Sequence, residues 1–176
     1  KVMDSGASGI IVPMVLSEKD VVSAIESVKY PPIGKRGVGL SRAQDYGFGF
    51  EDYVKWQKNN SIVIAQIEHI DAVNNIDKII SVNDLDAVII GPYDLSSSMG
   101  YPGELNNNEV LDAISSIEEA CKKKNFPFGF HIIDPDHKII KEKISNGYNF
   151  LGFSLDFLFM GEKIDREMRN FRNEWK

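Results

Sequence analysis

Five short apolar runs recur along the chain, each followed by a stretch with helical spacing, and this alternation constrains the fold more than any other feature. The runs are Gly9-Ile10-Ile11-Val12-Pro13, Ser61-Ile62-Val63-Ile64-Ala65-Gln66, Ala87-Val88-Ile89-Ile90, Phe128-Gly129-Phe130-His131-Ile132 and Phe150 to Ser154. Each reads as a buried strand. Between them, Ser17-Glu18-Lys19-Asp20 opens a helix with Val21, Val22, Ala24, Ile25 and Val28 on its apolar face, and Pro31-Pro32 stops it. Phe50 to Asn59 and Ala72 to Ile80 also carry helical spacing. Asn108 to Lys124 is the clearest amphipathic segment, with Val110, Leu111, Ile114, Ile117 and Cys121 expected inward and three lysines in the last turn, where cations suit the helix dipole. Pro135 to Ile144 and Leu158 to Phe171 complete the series, while the glycine-rich stretch from Gly34 to Gly49 reads as a long surface loop.

Strands that alternate with helices run parallel through right-handed crossovers, so the expected class is α/β. Polar residues collect at the strand ends of four successive units, at Glu68, Asp94, His131 and Asp156. A barrel converges such positions on one mouth, whereas an open sheet concentrates them at a switch point. The barrel is favoured. A (β/α)8 TIM barrel usually needs about 250 residues, so a chain of 176 residues reads as one domain, 1–176, made of the last five units of such a barrel. Hydrophobic residues at 43% and charged residues at 26% are globular values. A formal net charge of −6 argues against nucleic acid as a partner. No apolar run approaches the roughly 20 residues of a membrane span, and no signal core opens the chain. A single cysteine, Cys121, excludes an intrachain disulfide framework and fits a reducing cytoplasm.

Glu68 and Asp94 stand one strand-helix unit apart, both near carboxyl strand ends. Two such carboxylates can share one hard divalent cation and leave its other positions to water and substrate oxygens. Equally, Asp94 could cap a helix starting at Leu95-Ser96-Ser97 with Glu68 in a solvated loop. Spacing leaves both readings open. Arg36 and Arg42 offer either contacts to an anionic substrate or surface ion pairs. Ser96-Ser97-Ser98 reads as a helix start with capping or anion-binding capacity.

The local strings are more specific. Ala65-Gln66-Ile67-Glu68, Val88 to Ser96 with Gly91-Pro92-Tyr93-Asp94 at its centre, and Met99-Gly100-Tyr101-Pro102-Gly103 closely resemble the metal-dependent 2-oxo-acid aldolases of the HpcH/HpaI family. Asp4 to Met14, Tyr30-Pro31-Pro32, Arg36-Gly37-Val38-Gly39 and Arg42-Ala43 with Tyr46-Gly47 agree in order. The resemblance implies a (β/α)8 barrel of the pyruvate and phosphoenolpyruvate-binding superfamily, with Glu68 and Asp94 binding one Mg, Mn or Co ion. It implies that Gln66, Tyr93, Asp94 and Val38 meet the 2-oxo acid. His131 falls where relatives tend to have an apolar residue lining the aldehyde side. The implied reaction is cleavage of 4-hydroxy-2-oxo acids to pyruvate and an aldehyde through a metal-stabilised enolate, which needs no Schiff-base lysine. The family's catalytic histidine and arginine fall upstream of Lys1, and neither His69, His131 nor His137 matches that histidine. The catalytic base is therefore not identified within these residues, and the 176-residue chain alone would be inactive. Two alternatives accompany this reading: a non-catalytic barrel remnant serving binding or assembly, and a condensing relative of the citrate-lyase or citrate-synthase type. The resemblance also implies a homo-oligomer, a hexamer with exchanged C-terminal helices, for which Phe157-Leu158-Phe159-Met160 supplies an apolar patch.

Overall fold

The structure is a computed structural model that describes residues 1–175, in two compact units that divide at the start of the fourth strand. The first unit runs β1 (Gly9–Val12), α1 (Glu18–Val28), α2 (Phe50–Asn60), β2 (Ile62–Ile67), α3 (Ile70–Asn74), α4 (Ile76–Ile79), β3 (Ala87–Ile90), α5 (Pro92–Ser98) and α6 (Asn108–Lys124). Its strands pair in chain order and in parallel, with Val12 opposite Ala65 and Gln66 opposite Ile89. All four residues of β3 are buried, as a strand covered on both faces requires. Along β2 burial alternates: Val63, Ala65 and Ile67 are sealed, while Ile64 and Gln66 lie on the less enclosed face.

Local chemistry accounts for the helix ends. The Ser17 backbone N–H and hydroxyl both donate to Asp20 Oδ2, at 2.8 and 3.0 Å, closing the first turn of α1. Glu109 N–H donates to the Asn107 side chain at 3.0 Å to start α6, and Asn125 ends it in the left-handed region at φ 50°. Two expectations need correction. The segment from Ala72 to Ile80 is two short helices meeting at Asn75, whose side-chain amide is drawn away to Leu16 O at 3.0 Å. Leu111 is exposed on α6, because the buried stripe follows Val110, Ala113, Ile114, Ile117 and Cys121. The loop after α1 runs over the surface as expected, with Val38, Leu40, Tyr46 and Phe48 exposed, but it buries Arg36 and Gln44, and its short helical segment Arg42–Gly47 is kinked where Asp45 and Tyr46 take φ 49° and 53°.

The second unit continues with β4 (Phe128–Ile132), α7 (His137–Ser145), β5 (Phe150–Phe153) and α8 (Asp156–Glu174). β4 and β5 are parallel, with His131 opposite Gly152. A side chain at Gly129 would strike the Phe150 ring, its Cβ lying 2.5 Å from a ring carbon, so glycine lets that ring lie on β4. Asp136 accepts from Lys138 N–H at 2.9 Å and starts α7 two residues later than expected. Asp156 is the first residue of α8, and no residue of that helix is buried. Among the described residues no helix is long and apolar enough to cross a membrane.

Candidate functional site

Strand alternation carries Gln66 and Glu68 to the same side of β2, and the hydrogen bonds show the result. Glu68 is only 3% exposed. Its Oε1 accepts from the backbone N–H of Met14 at 2.7 Å, and its Oε2 accepts from Gln66 Nε2 at 2.5 Å. A carboxylate cannot donate, so the Gln66 amide nitrogen must be the group turned toward it. These two bonds use about half of the carboxylate's acceptor positions and leave the rest available. Burial with two donors rules out the solvated-loop reading of Glu68.

Gly91, just past β3, closes over this pair. A Cβ there would sit 2.9 Å from Gln66 Nε2 and 3.0 Å from Glu68 Oε2, so the bare Cα leaves a cradle that any side chain would fill. Gly91 N–H donates to Ile67 O at 3.0 Å and precedes Pro92, the first residue of α5. Tyr93 and Asp94 therefore occupy the first turn of α5, both exposed, Tyr93 at 48%. Asp94 is not the helix cap that one reading of its spacing assigned, because Gly91 holds that position. Its carboxylate has no hydrogen-bond or ion-pair partner among the described residues. The serines move as well: Ser96 and Ser98 bond back to Tyr93 O and Leu95 O, at 2.8 and 2.7 Å, inside the helix they were expected to start.

Among the described residues, no three His, Cys, Asp or Glu side chains cluster as a metal site. Glu68 and Asp94 come from consecutive strand-helix units, and both side chains would offer carboxylate oxygens. Such oxygens suit a hard cation that keeps water and substrate ligands. The open acceptor positions of Glu68 and the cradle at Gly91 fit that use.

The other expected positions are placed as follows. Val38 is 57% exposed on a segment whose two ends are both tied to Asp4. Arg36 Nη2 meets Asp4 Oδ1 at 2.5 Å, and Ser41 Oγ donates to Asp4 O at 2.9 Å. Arg36 also donates to Tyr53 Oη at 3.0 Å and lies over the Tyr30 ring, 4.7 Å from its centre, so it is a buried structural ion pair rather than a surface one. The Arg36 hydrogen bond holds the Asp4 carboxyl below its ordinary range. In the second unit, His131 lies within β4 rather than past its end, and its imidazole edge covers Gly152, where a Cβ would be 3.1 Å from Cδ2. Its ring has no hydrogen-bond partner among the described residues. His69 caps α3 by accepting from Asp71 N–H at 3.1 Å, and His137 is exposed at the start of α7. Cys121 is sealed in the core, where burial pushes its thiol up to about 12. The contact that sequence reasoning missed is the Met14 N–H on Glu68, made by a residue with φ 52°, for which no local signal exists.

Among curated proteins, the chain is 30% identical over 174 residues to the 2-keto-3-deoxy-L-rhamnonate aldolase of Escherichia coli (strain K12 / DH10B). It is 32% identical over 174 residues to the protein of that name from Salmonella paratyphi B. Each match covers 98% of this chain and 64% of the relative, so the chain spans about two thirds of the length of these relatives. Among solved structures it is similar to an HpcH/HpaI aldolase from Desulfitobacterium hafniense DCB-2, with 27% identity and a TM-score of 0.86, covering 97% of this chain and 66% of that one. It shares its fold with the citrate synthase SbnG at 24% identity, with a TM-score of 0.84, covering 98% of this chain and 66% of that one. The fold is thus α/β, a partial TIM barrel of five strand-helix units. The family model described as HpcH/HpaI aldolase/citrate lyase matches residues 1–158, and the chain belongs to the HpcH/HpaI aldolase/citrate lyase family.

Proposed function

We propose that this chain carries the cation and 2-oxo-acid site of a lyase that cleaves 4-hydroxy-2-oxo acids to pyruvate and an aldehyde. The observation that carries the reading is the buried Glu68 carboxylate, fixed by Met14 N–H and Gln66 beneath the bare Cα of Gly91. Relatives named 2-keto-3-deoxy-L-rhamnonate aldolase support a 2-oxo acid as substrate.

Glu68 and Asp94 would hold one divalent cation, Mg, Mn or Co. When bound, it supplies Lewis-acid polarisation of the substrate's keto oxygen. In the cleavage the bond between C3 and C4 breaks, the 4-hydroxyl gives its proton to a base as its oxygen becomes the aldehyde carbonyl, and the electron pair stays on C3, which takes up a proton to give pyruvate. Gln66 has its amide nitrogen committed to Glu68, which orients its carbonyl and remaining N–H toward the ligand. Tyr93 and Val38 contribute contacts to the 2-oxo acid. His131 serves the acceptor side, where an imidazole N–H can donate to an aldehyde hydroxyl or carboxylate. His69 and His137 take no part, since one caps a helix and the other faces solvent. The base that takes the hydroxyl proton is assigned to none of these three histidines.

We place the protein in the cytoplasm, where a single unpaired thiol is stable. We further assign it a homo-oligomeric state, a hexamer in the family pattern. Phe157, Met160, Ile164, Met168 and Phe171 are all exposed on α8 at spacings of three or four residues, an apolar stripe that an assembly would cover.

Titration calorimetry with Mn2+ tests the central reading. Wild type should bind one ion, while Glu68→Ala and Asp94→Ala should each lose at least about ten-fold in affinity. Equal binding by wild type and Glu68→Ala removes the proposal.

A further inference from the structure

The loop that leaves β1 does more than connect it to α1. β1 ends at Val12, and Pro13 has no N–H, so Met14 is the first residue beyond the strand that can donate from its backbone. That N–H reaches Glu68 Oε1 at 2.7 Å, across 54 positions of sequence. To aim it there, Met14 takes φ 52°, a left-handed conformation that L-residues with a Cβ rarely adopt. Unlike Asn or Asp, methionine has no short polar group to ease that conformation through a local hydrogen bond. Nor does side-chain packing compel it, because Met14 is 54% exposed.

The restraint comes from the neighbours. Val15 is buried, Leu16 N–H donates to Asp20 Oδ2 at 3.0 Å, and Leu16 O accepts from Asn75 Nδ2 at 3.0 Å. Held by β1 on one side and by these contacts on the other, the Met14 peptide has one orientation. Strain of this kind persists only where the surroundings over-determine it, and it concentrates at functional sites. Here it delivers a donor to one oxygen of a buried carboxylate whose other oxygen is already held by Gln66.

We propose that Met14 is a positioning residue whose strained backbone N–H presets the Glu68 carboxylate for the cation. This rests on the reading of Glu68 as a cation ligand. An unrestrained carboxylate would pay the ordering entropy at the moment of binding, and one held at both oxygens has paid it on folding.

Mn2+ titration calorimetry on the full chain, comparing wild type with Met14→Gly, Met14→Asn and Met14→Val, tests the inference. Glycine and asparagine accept the left-handed conformation and should bind within about two-fold of wild type. Valine is β-branched, resists it, and should bind about ten-fold more weakly, although the side chain at this position packs little. Equal affinity in Met14→Val and wild type overturns the inference alone, whatever the variant's melting temperature. A wild type that takes up no Mn2+ overturns the cation reading and the inference together. A second measurement depends neither on metal nor on how well Met14→Val folds. The Met14 amide of wild type should exchange with solvent deuterium at least about ten-fold more slowly than in Glu68→Ala, and equal exchange overturns the positioning role.

Discussion

Adding one methyl group at Gly91 should disable the site while leaving the fold in place. In Gly91→Ala the new Cβ would lie 2.9 Å from Gln66 Nε2, 3.0 Å from Glu68 Oε2 and 3.1 Å from Glu68 Cβ. Comfortable contacts begin at about 3.5 Å, so both side chains must retreat by roughly half an ångström. A flexible side chain in open space would yield at little cost. These two cannot yield independently, because Gln66 is bonded to Glu68 and Glu68 is bonded to Met14 N–H. One hydrogen bond to the buried carboxylate must stretch or break, and such bonds contribute about 1.5–3 kcal/mol. If the whole of that free energy is lost from the cation-bound form alone, affinity falls by about ten- to a hundred-fold. The backbone at Gly91 has an ordinary φ of −101°, so alanine brings no conformational penalty, and overpacking should cost stability about 1–3 kcal/mol. Mn2+ titration alongside thermal denaturation separates the two effects. A folded Gly91→Ala chain with wild-type Mn2+ affinity would refute the argument, since the carboxylate would then have tolerated displacement.

Three further outcomes follow from other parts of the molecule. Asp4→Asn should cost about 1–2 kcal/mol, because it leaves Arg36, whose side chain is 6% exposed, without its charged partner, while the 32% exposure of Asp4 lets water replace part of the interaction. The Asp4 carboxyl is lowered in the folded chain, so its contribution is complete above the ordinary value of 3.8 and fades as pH falls through the lowered one. The melting-temperature gap between wild type and Asp4→Asn should therefore be constant from about pH 6 to 8 and narrow below about pH 4; a gap that widens on acidification would contradict this. Cys121, with its thiol pushed up to about 12, should resist iodoacetamide at pH 8 until the chain is denatured, as mass spectrometry would show. On the proposed acceptor-side role, His131→Leu should leave any deuterium exchange of pyruvate nearly unchanged and shift preference toward apolar aldehydes; a loss of about a hundred-fold or more would make His131 the base instead.

The parts of the fold that were legible in the sequence are those set by local periodicity and end chemistry. β3 over Ala87–Ile90 and α6 over Asn108–Lys124 occupy the expected residues, because a four-residue apolar run and a capped amphipathic stretch carry their own boundaries. Glu68 and Gln66 were visible in their string, and strand alternation put them on one side of β2. Tertiary structure decided the rest. The helix break falls at Asn75, whose side-chain amide bonds Leu16 O, 59 positions away, a contact that no local pattern announces. Arg36 looked like a surface cation until Tyr30, Tyr53 and Asp4 closed around it. Gly91 stood out in the sequence only as part of the Gly91-Pro92-Tyr93-Asp94 string, and the packing of β3 beside β2 shows that a side chain there would strike Gln66 and Glu68. Met14 carries no local signal for a left-handed backbone, since its conformation is imposed by contacts on both sides and directed at a carboxylate 54 residues on. Periodicity and capping act over a few residues and are written in sequence order, whereas the position of a donor in a site depends on the close approach of distant segments, which packing alone creates.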